Sequence, residues 1–136
     1  MTHTFDQLVR FARPYPVLAS GFAACTYALR FIEIDQALSM ITCWDKVTSI
    51  RDCTLMDQSE KIERYSKEFP FGPVIAIAFE LQTFARIWSD EYGGRSGDDL
   101  VVFEGNHRLR ALALRRDRGV KDDHLIGVFV GRVDGV

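Results

Sequence analysis

Five consecutive residues, Glu104, Gly105, Asn106, His107 and Arg108, put a carboxylate, an imidazole and a guanidinium within one short turn of chain. They stand between the apolar run "LVVF", 100–103, and a helix-patterned stretch, 106–118. At a strand–helix junction the first N–H groups of the helix lack acceptors within it, and the aligned peptide dipoles make that end positive. Gly105 has no Cβ to hold a ligand away from the backbone. Arg108 can grip a phosphate through two parallel N–H donors, and His107 adds another side-chain donor. Such a turn is an anion site, most naturally for phosphate. Glu104 is not needed to bind an anion. Beside phosphates it can hold Mg2+, or accept a proton from an attacking hydroxyl or water. The plainer alternative makes Asn106 a helix cap, Glu104 a carboxylate answering the dipole, and Arg108 a solvated residue.

Nothing else in the chain offers comparable chemistry. Residues 107–121 carry six Lys and Arg against one Asp, either a phosphate track or cations favoured at a helix C-terminus. Asp98 and Asp99 precede the strand and can share a metal with Glu104 only if the loop folds back; a solvated loop is expected. His124 is a lone loop histidine, and His3 is terminal. Trp44 and Trp88 sit among apolar neighbours and read as core. Cys25, Cys43 and Cys53 have neither zinc spacing nor an even count, so three free thiols in a reduced, cytoplasmic setting are expected.

The elements that must position the turn can be read on either side of it. Thr4 and Gln7 have capping-box spacing before an apolar pattern over 4–12, and "RPYP" at 13–16 ends that helix. The small apolar stretch 17–29 reads as a second, buried helix, and "RFIEID", 30–35, as a short strand. Residues 36–52 stay open between helix and irregular structure. A helix is expected over 56–69, with Ile62, Tyr65 and Phe69 on one stripe and Lys61 among the residues facing away. Pro70 and Gly72 end it, and "PVIAIAF" gives a strand buried on both faces. A helix over 80–92, a glycine-rich loop over 93–99, the strand 100–103, the helix 106–118 with Gly119 at its C-cap, and a strand over 125–133 complete the reading.

At 136 residues, 47% apolar and 26% charged, the composition is that of one globular domain. A net charge of −2 argues against non-specific coating of nucleic acid or anionic membrane. No apolar run is long enough to span a bilayer, and the N-terminus does not read as a secretory signal.

The segment "FEGNHRLRALAL" resembles the "DGxHRxxA" signature of the ParB/sulfiredoxin-like superfamily, and Gly105, Arg108, Arg110 and Ala111 also fit that superfamily's "GERRxRA" motif. Upstream, "RDCTLMDQSEKIERYSKEFPFGPVIAI" is similar to the family order of an arginine, a helix, and Gly and Pro entering a core strand. The resemblance covers roughly residues 30–132. It implies an α+β fold, a small mixed sheet with flanking helices, with 30–133 as core and 1–29 as an extra helical segment. It implies nucleotide-phosphate contacts from Gly105, Asn106, His107 and Arg108, and more loosely from Arg51. Glu104 takes the place of an acidic residue that assists metal binding or catalysis in some relatives.

Two departures narrow the activity. Asn106 stands where sulfiredoxins carry their reactive cysteine and ParB a glutamate, so neither sulfiredoxin chemistry nor a CTP switch is expected. No helix-turn-helix is legible, so a complete partition protein is not expected either. The expectation is a nucleotide- or nucleic-acid-phosphate-binding protein of bacterial or mobile-element type, with ATP, ADP or CTP as the ligand. If it is an enzyme, it is a Mg-dependent phosphotransferase, nucleotide hydrolase or nuclease, with Glu104 as base or metal ligand and His107 assisting. The alternative is a non-catalytic scaffold that binds a protein partner as inhibitor or adaptor, or that dimerises through its N-terminal helices.

Overall fold

The computed structural model describes residues 2–4, 25–43, 48–68, 74–87 and 99–133. In chain order these give β1 (Thr2–Thr4), β2 (Cys25–Ile32), α1 (Ile34–Leu38), β3 (Ile41–Thr42), α2 (Glu60–Lys67), β4 (Val74–Glu80), α3 (Leu81–Ile87), β5 (Leu100–Glu104), α4 (Asn106–Asp117) and β6 (Ile126–Val133). The α+β class expected from the sequence is what forms. The strands make one six-stranded mixed sheet in the order β1-β2-β6-β4-β5-β3. β6 runs antiparallel to β2 and parallel to β4, β4 is antiparallel to β5, and β5 is parallel to β3.

Side chains alternate across the strands, so each sheet face builds its own core. On one face Ile34 and Leu38 of α1 and Leu109 and Leu112 of α4 pack on Val102, Ile126, Val128 and Val130. On the other, Tyr27, Ile77, Phe79, Val101 and Phe103 meet Leu81 and Phe84 of α3. Phe79 lies edge-on to both Tyr27 and Phe103, with ring centroids 5.7 and 5.9 Å apart. β4 is buried on both sides, as its apolar run predicts. A third cluster, Cys53, Met56 and Ile62 with Leu114, seats α2 on the outer side of α4.

The N-terminal reading needs correction. Residues 25–29, expected to end a helix, lie in β2, and Thr4, expected to cap one, lies in β1. Short apolar runs do not separate helix from strand by periodicity, and here pairing decides: all eight residues of β2 match β6, from Cys25 opposite Val133 to Ile32 opposite Ile126. The sheet therefore begins inside the segment expected to be a helical extension. The strand expected over 30–35 already ends at Ile32, and Ile34 opens α1. The rest of the expected helices over 4–12 and 17–29, with any dimer contact they would make, falls outside the described residues. So do Trp44, Trp88 and Asp98.

Within the open stretch 36–52, the described residues form the end of α1, the two-residue β3 and a turn at 49–52, while 44–47 lie outside them. The helix expected over 56–69 is the shorter 60–67, because Ser59 caps it with a side chain that accepts from the Lys61 N–H at 3.2 Å. Gly119 follows α4 with φ +85°, the left-handed position its place in the sequence implied. None of the three cysteines is joined in a disulfide.

Candidate functional site

β5 delivers Glu104 to the turn, and α4 begins two residues later. Gly105 is the N-cap, with φ +98° and ψ 10°. The requirement for glycine here is strict, and its cause is the core. A Cβ at Gly105 would stand 2.3 Å from the Ile75 carbonyl oxygen and 2.8 Å from Ala76 Cα, so the turn is pressed against the backbone of β4. The left-handed φ excludes other residues independently.

Asn106 turns inward. Its side chain is 2% exposed; Oδ1 accepts from Thr42 Oγ1 at 2.6 Å, while Nδ2 donates to Val102 O at 3.2 Å and Phe103 O at 3.4 Å and lies 3.3 Å from Cys43 Sγ. It ties β3 and β5 to the start of α4. With its side chain engaged in this way Asn106 positions the turn, and the phosphate contact expected of it would fall to its backbone N–H. Cys43, beside it, has its thiol pushed up to about 11, chiefly by burial, so it is no nucleophile at neutral pH.

His107 and Arg108, both half-buried, face outward into a small cleft with Glu104 and Gly105. The opposite wall comes from α2: Lys61 and Tyr65. The Lys61 ammonium is 5.8 Å from the centre of the Tyr65 ring, and the Arg64 guanidinium 5.5 Å. Sequence reading missed Lys61 and Tyr65 as site residues. Their i, i+4 spacing shows that they share a helix face, but which face meets the turn depends on how α2 packs on α4. Burial, and then the Lys61 ammonium, hold His107 below the usual histidine range. Its imidazole is therefore neutral at pH 7, able to donate one hydrogen bond and accept another. The cleft, ≈ 30 Å³ in volume, has room for a small group such as a phosphate oxygen.

Arg110, the second arginine of the motif, does not reach the cleft. It lies buried beneath α4 and grips Asp57 with two hydrogen bonds, at 2.7 and 3.0 Å, while donating to Ile50 O at 3.0 Å and Arg51 O at 2.6 Å. This clamp fixes the turn that leads into α2, and with it the Lys61 wall. Arg51 contributes to the clamp through its carbonyl alone. Its exposed side chain pairs with Asp35 at 3.6 Å and does not join the lining residues, so the loosely aligned early arginine is not brought to the motif.

The basic run along α4 forms no continuous phosphate track. Arg115 is paired with Asp122 at 3.0 Å, Arg116 with Asp35, and Arg118 with Glu63 at 2.9 Å. Asp99, just before β5, and Glu104, at its far end, are five residues or about 16 Å apart along an extended strand, too far to share one metal ion. Among the described residues no group of three or more His, Cys, Asp or Glu side chains converges as a metal site. The charged groups that line the cleft are one carboxylate, Glu104, and two permanent cations, Lys61 and Arg108. Those charges repel a divalent cation, so these residues do not by themselves fit Mg2+. No helix among the described residues is long and apolar enough to cross a membrane. Comparison with protein-family models, curated proteins and solved structures returns no match.

Proposed function

We propose that the cleft between α2 and the β5–α4 turn binds the phosphate of a nucleotide or nucleic acid. One observation carries this reading: Lys61 from one helix converges with His107 and Arg108 at the N-terminus of another, twelve-residue helix. Two permanent cations and the positive end of α4 outweigh the single carboxylate, so the cleft favours an anion. The resemblance to the ParB/sulfiredoxin-like signature points the same way and suggests ATP, ADP or CTP as the first ligands to try.

Chemistry beyond binding would rest on two groups. Neutral His107 can act as a general base or hydrogen-bond donor, and Glu104 can accept a proton from a nucleophile beside the bound phosphate. The second reading, a scaffold that binds without turnover, is favoured by Asn106. The position next to the phosphate turn that is reactive in relatives is here locked into the core by hydrogen bonds.

Thermal unfolding with ATP, ADP, CTP and inorganic phosphate, each with and without Mg2+, tests the binding reading. A ligand at 100 times its Kd adds about 2.7 kcal/mol of stability. Arg108→Ala should abolish that gain and leave the unliganded fold intact. If none of these ligands stabilises the wild type, the phosphate reading is wrong.

A further inference from the structure

We propose that Glu104 makes the phosphate cleft selective for a phosphate that carries a proton. That class comprises inorganic phosphate and the terminal phosphomonoester of a nucleotide. It excludes sulfate and the phosphodiester of a nucleic-acid backbone. The selectivity presupposes that the cleft binds phosphate, and adds which phosphates it takes.

The strand puts the carboxylate there. Ile77 of β4 faces Glu104, yet the next residue, Ala78, faces Val102, so β5 carries one residue more than its partner. A bulge of this kind bends the strand and re-aims a side chain beside it. Glu104 lines the cleft, half-buried, with Lys61 of α2 and with His107 and Arg108 of α4. Three elements thus converge, and the carboxylate is the odd member among them. Although two cations line the same cleft, the Glu104 side chain makes no hydrogen bond or ion pair among the described residues. Its acceptor oxygens are left for solvent or for a ligand.

An unpaired carboxylate in an anion cleft discriminates between anions. The cleft is only ≈ 30 Å³, so a tetrahedral oxyanion drawn in by Lys61 and Arg108 brings an oxygen to Glu104. If that oxygen bears no proton, two anionic oxygens meet with nothing between them and repel. If it bears one, it donates to the carboxylate in a charge-assisted O–H···O hydrogen bond, the short and strong kind. Near neutral pH inorganic phosphate always carries at least one proton, and sulfate, of the same shape, carries none. A phosphomonoester, whose second pKa is about 6, keeps a proton or takes one up. An interior phosphodiester has none to give. The two cations supply the attraction common to all these anions, and Glu104 supplies the difference between them.

NMR titrations in EDTA, following the backbone N–H signals of residues 105–108, test this with inorganic phosphate, sulfate, AMP and 3′,5′-cyclic AMP. Phosphate should bind more tightly than sulfate, and AMP more tightly than cyclic AMP, by about tenfold or more, the worth of one charge-assisted hydrogen bond. Either order of phosphate and AMP fits, and tells which source of the group the cleft prefers. Glu104→Gln should bring sulfate to within about threefold of phosphate, chiefly by tightening sulfate. A merely structural loss would weaken both ions together and keep their ratio as in wild type, and that result overturns the proposal. So does equal affinity of the wild-type protein for phosphate and sulfate, which leaves the phosphate reading standing and needs no variant to fold. Shifts from none of these ligands overturn both readings. Discrimination that appears only when Mg2+ replaces EDTA gives Glu104 to a metal ion and overturns the proposal as well.

Discussion

Arg110 Nε lies 2.7 Å from Asp57 Oδ1, and the side-chain exposures of the two residues are 3% and 26%. This fork-on-fork pair joins the middle of α4 to the turn before α2, so the two walls of the phosphate cleft keep their spacing through an interaction that never touches the ligand. Hydrogen bonds to the Asp57 carboxylate, first, hold the guanidinium more firmly protonated than a free arginine, against the cost of burial.

Arg110→Ala should therefore destabilise the fold by about 3 kcal/mol, the lower end for removing one partner of a buried pair, since Asp57 retains some contact with water. Arg110→Lys should recover little of this, because an ammonium cannot span both carboxylate oxygens and two carbonyls. Urea unfolding of the three proteins checks both statements.

Gly105→Ala should cost about 3 kcal/mol or more, combining a left-handed φ with overlap on the β4 backbone. The loss should appear in the unliganded protein. A glycine needed only for ligand approach would instead leave the Tm of the free protein unchanged.

His107 should make stability depend on pH. Its folded-state pKa is lowered, so below its ordinary value of 6.5 the unfolded chain binds a proton that the folded one resists. The contribution is fully present above pH 6.5 and is lost as pH falls towards the folded pKa. Chemical unfolding between pH 8 and 5 should show wild type losing more stability than His107→Gln; parallel profiles would rule this out. A phosphodiester, which does not titrate in this range, should bind more tightly as pH falls, because its charge favours the imidazolium.

If the domain catalyses phosphoryl chemistry, Glu104→Gln should remove turnover and spare nucleotide binding. The amide keeps the size of the carboxylate and loses its charge and basicity. Turnover assays alongside binding titrations separate the roles, and equal turnover in both proteins would assign the cleft to binding alone.

Removing residues 1–29 should abolish cooperative unfolding, since it cuts through β2 and strips five of the eight pairs of its ladder from β6. A folded remnant would mean that β6 can close the sheet alone.

Local chemistry made much of this legible. The apolar run of β4, the abrupt stop at Glu104, the helix after Gly105 and the turn at Gly119 are each written in neighbouring residues. What was not legible depends on distance along the chain. Asn106 faces inward because its partner Thr42 lies 64 residues away. Lys61 joins the cleft because Ile62 and Leu114 set the rotation of α2. Small apolar residues before Phe31 suit a helix as well as a strand until β6 is there to pair with them.

The sheet order has a consequence for how the chain comes together during synthesis. β6, the last of the described strands to be made, is the one that sits between β2 and β4. Until residues 126–133 have left the ribosome, β1–β2 and β4–β5–β3 are two separate pieces of sheet, each with an open inner edge. Neither can be completed by anything made earlier. Closure of the sheet thus waits on the pairing of β2 with β6, the most sequence-distant among the described strands, a topology that belongs among the slower folders.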